Sequence, residues 1–251
     1  MLAVRPAAGK PVGSIANPIP VDSLMSLDPQ ARALLDMVYR VGAPRFHELS
    51  VAQARHSMEK LLFAFRPEAP AVASVTEVPI PRPHGGVLMA RYYRPRSAEA
   101  DDRLPLLIYY HGGGWCIGDV PSYDVLCREL ANVSCCAVLS VDYRLAPEHP
   151  FPAGVEDALL ALDWATDNAD LLEIDSDRIA LGGDSAGGNL SIVTAIQARD
   201  RGFPTLSHLM LVYPSTEMVS VRPSRERYAD GYFLDRETLR WFYERYLPDG
   251  Q

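Results

Sequence analysis

Ser185 stands in the run Gly182-Gly183-Asp184-Ser185-Ala186-Gly187-Gly188, whose central five residues fit G-x-S-x-G. The flanks supply the context that this motif needs. Arg178–Gly182 reads as a short apolar strand, and Asn189–Arg199 reads as a helical run. A strand that turns sharply into a helix forces its turn residue into a strained backbone conformation, and flanking glycines remove the Cβ clashes there. The turn residue then presents its hydroxyl at a helix N-terminus. There, free N–H groups and the helix dipole favour developing negative charge. A glycine-rich turn with a merely structural serine would show the same five residues. A second motif upstream favours the nucleophile.

Leu104–Tyr110 reads as a buried parallel strand, and His111-Gly112-Gly113-Gly114-Trp115 follows it directly. Consecutive glycines let a backbone turn successive N–H groups into one cavity. A tetrahedral acyl intermediate needs such donors, and each is typically worth about 3–4 kcal/mol. The expected oxyanion donors are the N–H groups of Gly112, Gly113 and Ala186, with His111 and Gly114 shaping the loop. A phosphate cradle is the rival use of such a loop, but no Gly-Lys-Ser/Thr follows. His111 precedes the nucleophile and reads as a loop-shaping residue, not as the general base.

These residues resemble the hormone-sensitive lipase family of α/β-hydrolases, the esterases with HGGG and GDSAGG blocks. A third block agrees: Val141-Asp142-Tyr143-Arg144-Leu145-Ala146-Pro147-Glu148-His149-Pro150-Phe151-Pro152-Ala153, continued by Val155-Glu156-Asp157-Ala158. The three blocks stand in the family's order. The resemblance spans roughly residues 25–250. It implies hydrolysis of short to medium acyl esters without metal or organic cofactor, with Trp115 and Asp184 at the substrate site. The family triad continues from serine to an aspartate in a DPLxDEG-like segment and then to a histidine. No such segment is present, and the only histidine after Ser185 is His208, at the start of a strand reading 207–213. By analogy that is the end of the strand away from the nucleophile. The expectation is a chain truncated relative to the family, without its last two strands, acid and base. A serine without a base is a poor nucleophile at neutral pH. The alternative is a small-molecule binding protein on a disabled hydrolase scaffold; a third reading is a non-functional fragment.

Composition sets the frame. A 251-residue chain, 48% hydrophobic and 22% charged, suits one globular α/β domain with a small cap. A net charge of −8 without a basic stripe argues against nucleic acid. No 18-residue apolar run is present to span a membrane, and the N-terminus lacks a signal-peptide core, so a cytoplasmic location is expected. Cys116, Cys127, Cys135 and Cys136 lack zinc-ligand spacing and read as reduced, buried thiols. The adjacent pair at 135 and 136 is placed at the start of a strand, facing opposite ways. Cys116 sits beside the glycine loop, where a thiol reagent could disturb the site.

The elements that must position these motifs follow from the pattern. Residues 1–20 are proline-rich and read as a flexible tail, 21–70 as N-terminal cap helices, 71–214 as the hydrolase core and 215–251 as a second cap segment. Asp28 caps a first helix that begins at Pro29, with Ala33, Leu34, Met37, Val38 and Val41 on its apolar stripe. Ser50 opens a second, carrying Ala54, Met58, Leu61, Leu62 and Phe65. Two strands, 74–80 and 87–94, meet through His84-Gly85-Gly86. Parallel strands are expected at 104–110, 135–141, 177–183 and 207–213, linked by a helix at 153–168 and the one after Ser185. This β–α alternation indicates a doubly wound, mostly parallel sheet, with ligands beyond the carboxyl ends of its strands. Residues 231–247 read as an aromatic amphipathic helix with Asp235 as a cap. With no further strand beyond it, Leu209–Tyr213 becomes an apolar sheet edge, and self-association through that edge is expected.

Overall fold

In the computed structural model, residues 27–40, 42–99, 102–220 and 222–247 are described. The proline-rich stretch 1–20 and Val41 lie outside them. The chain divides into two units, residues 1–43 and 44–251. The first contains helix α1 (Pro29–Arg40), whose start is set by Asp28 Oδ1 accepting the Gln30 N–H at 2.8 Å.

The second unit carries the rest. Helix α2 (Val51–Phe65) begins with a capping box in which Ser50 and Gln53 satisfy each other's N–H groups. Strands β1 (Ser74–Pro81) and β2 (Val87–Arg94) form the expected antiparallel hairpin. Then come β3 (Leu104–Tyr110), α3 (Asp124–Ser134), β4 (Ala137–Val141), α4 (Ala153–Asp167), the short α5 (Ala169–Leu172), β5 (Ile174–Asp184), α6 (Ala186–Arg201), β6 (His208–Val212), α7 (Pro223–Arg227) and α8 (Arg236–Tyr246). The six strands lie in the order β1-β2-β4-β3-β5-β6. Only β2 meets its neighbours β1 and β4 antiparallel; β3, β4, β5 and β6 run parallel.

Both faces of this sheet are covered, so its central strands read as continuous apolar runs instead of alternating ones. Every residue of β4 is buried. Leu107, Tyr109 and Val138 pack with Cys127 and Ala131 of α3 on one face. Leu106, Ile108, Tyr110 and Leu139 pack with Ala158, Leu162 and Ala165 of α4 and Leu190 of α6 on the other. Small residues on α4 let it lie close to the sheet.

A buried ion cluster ties the hairpin to the core. Asp157 of α4, 1% exposed, receives Arg82 from the end of the hairpin (Nε to Oδ1 3.1 Å, Nη2 to Oδ2 3.0 Å). It also receives the Arg144 N–H at 2.8 Å and the Arg144 guanidinium at 3.0 Å.

Two details differ from the sequence expectations. Cys135 is not in a strand: it closes α3 with a left-handed backbone, φ 54°, and β4 starts only at Ala137. Cys135 is exposed and Cys136 partly so, because the helix ends by a tight reversal instead of running straight into the sheet. The aromatic helix begins at Arg236, not Gly231, because Asp235 accepts the Thr238 N–H at 2.7 Å and sets the first turn there. Among the described residues β6 pairs with β5 alone, and Leu209, Leu211 and Val212 are each 37% exposed.

Candidate active site

β5 ends at Asp184 and α6 begins at Ala186, so Ser185 is the turn residue between them. Its φ of 51° and ψ of −112° are the strained backbone that the motif demands. Main-chain bonds hold that conformation. The Ser185 N–H donates to Val212 O at 2.9 Å, and its carbonyl accepts the N–H groups of Ser215 at 3.0 Å and Asn189 at 3.1 Å. The hydroxyl is half-buried and has no hydrogen-bond partner among the described residues. Ala186 opens α6, and its N–H likewise has no acceptor among them, as expected at a helix N-terminus.

The glycine loop leaves β3 beside this turn. His111 is fully buried and stacks on Tyr143, ring centroids 4.5 Å apart. Burial pushes its pKa below the ordinary value of 6.5, so the ring is neutral at pH 7. Its Nδ1 lies 2.7 Å from Gly112 O and, as the donor, bonds it.

The other candidate residues differ in which of their groups are already bonded. The Gly112 N–H, expected as an oxyanion donor, donates to Asp184 Oδ1 at 2.9 Å and is therefore engaged. The N–H groups of Gly113 and Gly114 have no acceptor among the described residues. Three consecutive glycines carry no mark of which N–H fastens the loop, so sequence alone could not separate them. Asp184, expected at the substrate site, is 8% exposed and its carboxylate is filled by internal donors. Trp115, also expected there, is 2% exposed and stacks on Tyr246 of α8 at 4.4 Å and 6°. It fastens α8 to the glycine loop. Cys116 is buried, as read from the sequence, and burial pushes its thiol up to about 12, which disfavours the thiolate that a thiol reagent attacks.

One fastening residue left no signal in the sequence. Arg55 of α2 donates to Cys116 O at 2.9 Å and Ala146 O at 3.1 Å, and pairs with Glu148 at 2.6 Å. It joins α2 to both loops at the top of the sheet.

His208 falls where it was expected. It lies level with Ala180 in the β5–β6 ladder, whereas Val212 is level with Asp184. Four residues of strand separate those levels, about 13 Å. None of the six histidines, His47, His56, His84, His111, His149 and His208, hydrogen-bonds to Ser185. Among the described residues, no group of three or more His, Cys, Asp or Glu is placed to hold a metal. Nor is any helix among them long and apolar enough to cross a membrane.

The sequence profile described as the alpha/beta hydrolase fold matches residues 107–251, more than half of the chain. The chain belongs to the α/β-hydrolase family. This α/β-hydrolase is 45% identical over 180 residues to "Carboxylic ester hydrolase LipN" of Mycobacterium tuberculosis, covering 70% of the chain and 47% of that relative. It is 40% identical over 228 residues to "Carboxylesterase NlhH" of the same species, covering 88% and 67% respectively. It thus spans about half the length of the first and about two thirds of the second. The crystal structure of an alpha/beta hydrolase enzyme from the metagenome of Lake Arreo, Spain, superposes with a TM-score of 0.85 at 41% identity, covering 90% of this chain and 71% of that one.

Proposed function

We propose that this chain carries the nucleophile and oxyanion hole of a carboxylic ester hydrolase acting on short to medium acyl esters. Ser185 Oγ attacks the ester carbonyl, and the N–H groups of Gly113, Gly114 and Ala186 hold the developing oxyanion. The observation that carries this reading is the strained Ser185 backbone, φ 51°, with a hydroxyl that has no hydrogen-bond partner among the described residues, at the start of α6. The names of the relatives support the ester as substrate class. The four free thiols support a reducing, cytoplasmic setting.

No histidine bonded to Ser185 supplies a general base, so we read the 251-residue chain as slow on its own. Loss of triad members typically costs about 10⁶ in kcat, and the oxyanion hole and binding retain roughly 10³–10⁴ over water. The test is hydrolysis of p-nitrophenyl butyrate by the chain and by Ser185→Ala, with and without added imidazole as an external base. The expected result is slow turnover that imidazole raises in the wild-type chain and not in Ser185→Ala. Equal rates for both proteins in imidazole would sink the nucleophile. Fast Ser185-dependent turnover without imidazole would sink the slow-chain reading. Saturable butyrate binding with no turnover in either condition would favour a binding role.

The open edge of β6 supports self-association with a second copy. Light scattering after size exclusion is expected to give a mass above that of the monomer as concentration rises, and Leu211→Lys is expected to lower it. A monomer at every concentration would refute the pairing.

A further inference from the structure

We infer that Asp184 is a positioning residue: its side chain, carried by the covalent neighbour of Ser185, fixes the Gly112–Gly114 loop in place beside the nucleophile. The inference rests on reading Ser185 as the nucleophile.

Three donors from three segments converge on this one carboxylate. Oδ1 accepts the Gly112 N–H at 2.9 Å and the Tyr109 hydroxyl at 2.8 Å, and Oδ2 accepts the Tyr123 hydroxyl at 3.0 Å. Gly112 belongs to the loop, Tyr109 to β3, and Tyr123 to the turn before α3. Burial, and then the carboxylate itself, push both phenols well above their ordinary value of 10, which favours their protonated, donating form.

The approach is close enough to exclude any side chain at position 112. A Cβ there would lie 2.2 Å from Asp184 Oδ2. The loop is therefore seated on the carboxylate, not merely near it. Charge-assisted bonds are shorter and roughly twice as strong as neutral ones, which suits a part that must not drift. A buried carboxylate is a costly way to hold a core together, since apolar packing of the same shape usually serves as well. What apolar packing cannot do is direct one particular N–H. With the Gly112 N–H occupied, the next two, on Gly113 and Gly114, have no acceptor among the described residues. The residue that carries Ser185 on its carbonyl side thus holds the donors by its side chain.

The test uses the full chain and the variants Asp184→Ala and Asp184→Asn. Asparagine keeps an oxygen for Gly112 and Tyr109 but loses the second acceptor for Tyr123. The first readout is amide hydrogen exchange of Gly112, Gly113 and Gly114 relative to the amides of β3. Asp184→Ala is expected to speed exchange at Gly112 by about tenfold or more, the scale of one lost charge-assisted bond, with Asp184→Asn in between. The second is imidazole-assisted p-nitrophenyl butyrate hydrolysis. Loss of donor alignment is expected to lower kcat by about 10²-fold in Asp184→Ala with KM little changed, and Asp184→Asn is expected to restore most of it.

A lowered melting temperature with unchanged loop exchange and unchanged kcat would make Asp184 merely structural and overturn the inference. Should Asp184→Ala fail to fold, Asp184→Leu, which keeps the volume but offers no acceptor to the Gly112 N–H, takes its place, and wild-type exchange and kcat there would overturn the inference equally. Failure of the nucleophile reading is seen separately. In that case Ser185→Ala matches wild type in imidazole, while the exchange readout still reports whether Asp184 holds the loop.

Discussion

Gly187→Ala is expected to lower the melting temperature by about 8–16 °C, the shift that about 4 kcal/mol produces in a domain of this size. A Cβ at position 187 would stand 1.8 Å from Tyr110 O and 2.7 Å from His111 O. Neither oxygen has room to retreat. Tyr110 is fully buried in β3, paired with β4 and β5, and its hydroxyl donates to Ala158 O at 2.8 Å. The first turn of α6 must move away instead, and Ser185 moves with it. Gly202→Ala is the control. A Cβ there meets nothing within 4 Å, and only its φ of 79° is at stake, which costs about 1–2 kcal/mol. Scanning calorimetry of both variants gives the comparison. A Gly187→Ala chain that melts like Gly202→Ala would mean that α6 does not approach β3 this closely.

Asp157→Ala is expected to cost about 3 kcal/mol, the lower end for a broken buried pair, because the guanidinium groups it leaves behind still reach water. The Arg82 and Arg144 side chains are 21% and 28% exposed. Burial alone would raise the Asp157 pKa, but the bonds from Arg82 and Arg144 outweigh it and hold it below the ordinary 3.8. The sign of the pH dependence follows. A carboxylate depressed in the folded state adds stability that is complete above its unfolded value and is lost as pH falls through the folded one. The difference in unfolding free energy between wild type and Asp157→Ala should hold steady near neutral pH and shrink below about pH 3.8. Denaturant unfolding across that range measures it. A difference that is the same on both sides of that value would show that the cluster does not act through the Asp157 charge.

What the sequence disclosed was whatever depends on neighbours in the chain. The turn at Ser185 was legible because a glycine-rich stretch between an apolar strand and a helical run can do little else. The Asp28, Ser50 and Asp235 caps were legible for the same reason, as side chains that serve N–H groups two or three residues ahead. The roles within the glycine loop were not. Which N–H is engaged depends on Asp184, 72 residues further on. Trp115 looked like a pocket wall because a large aromatic beside a glycine loop is ambiguous until Tyr246 is placed against it. Cys135 was misplaced because an apolar run does not announce a left-handed reversal at its first residue.

Ser185 takes its main-chain support from the outermost strand and the residues just past it: Val212 O receives its N–H, and the Ser215 N–H reaches its carbonyl. That strand has one neighbour and three exposed apolar side chains, while β3 and β4 are enclosed on both faces. Strand edges fray at lower free energy than sheet centres. The strained turn therefore shares the fate of the periphery. Among the described residues, a partial opening that peels back β6 releases the backbone of Ser185 while the enclosed strands β3 and β4 stay intact, so the elbow is tied to the least enclosed of these strands.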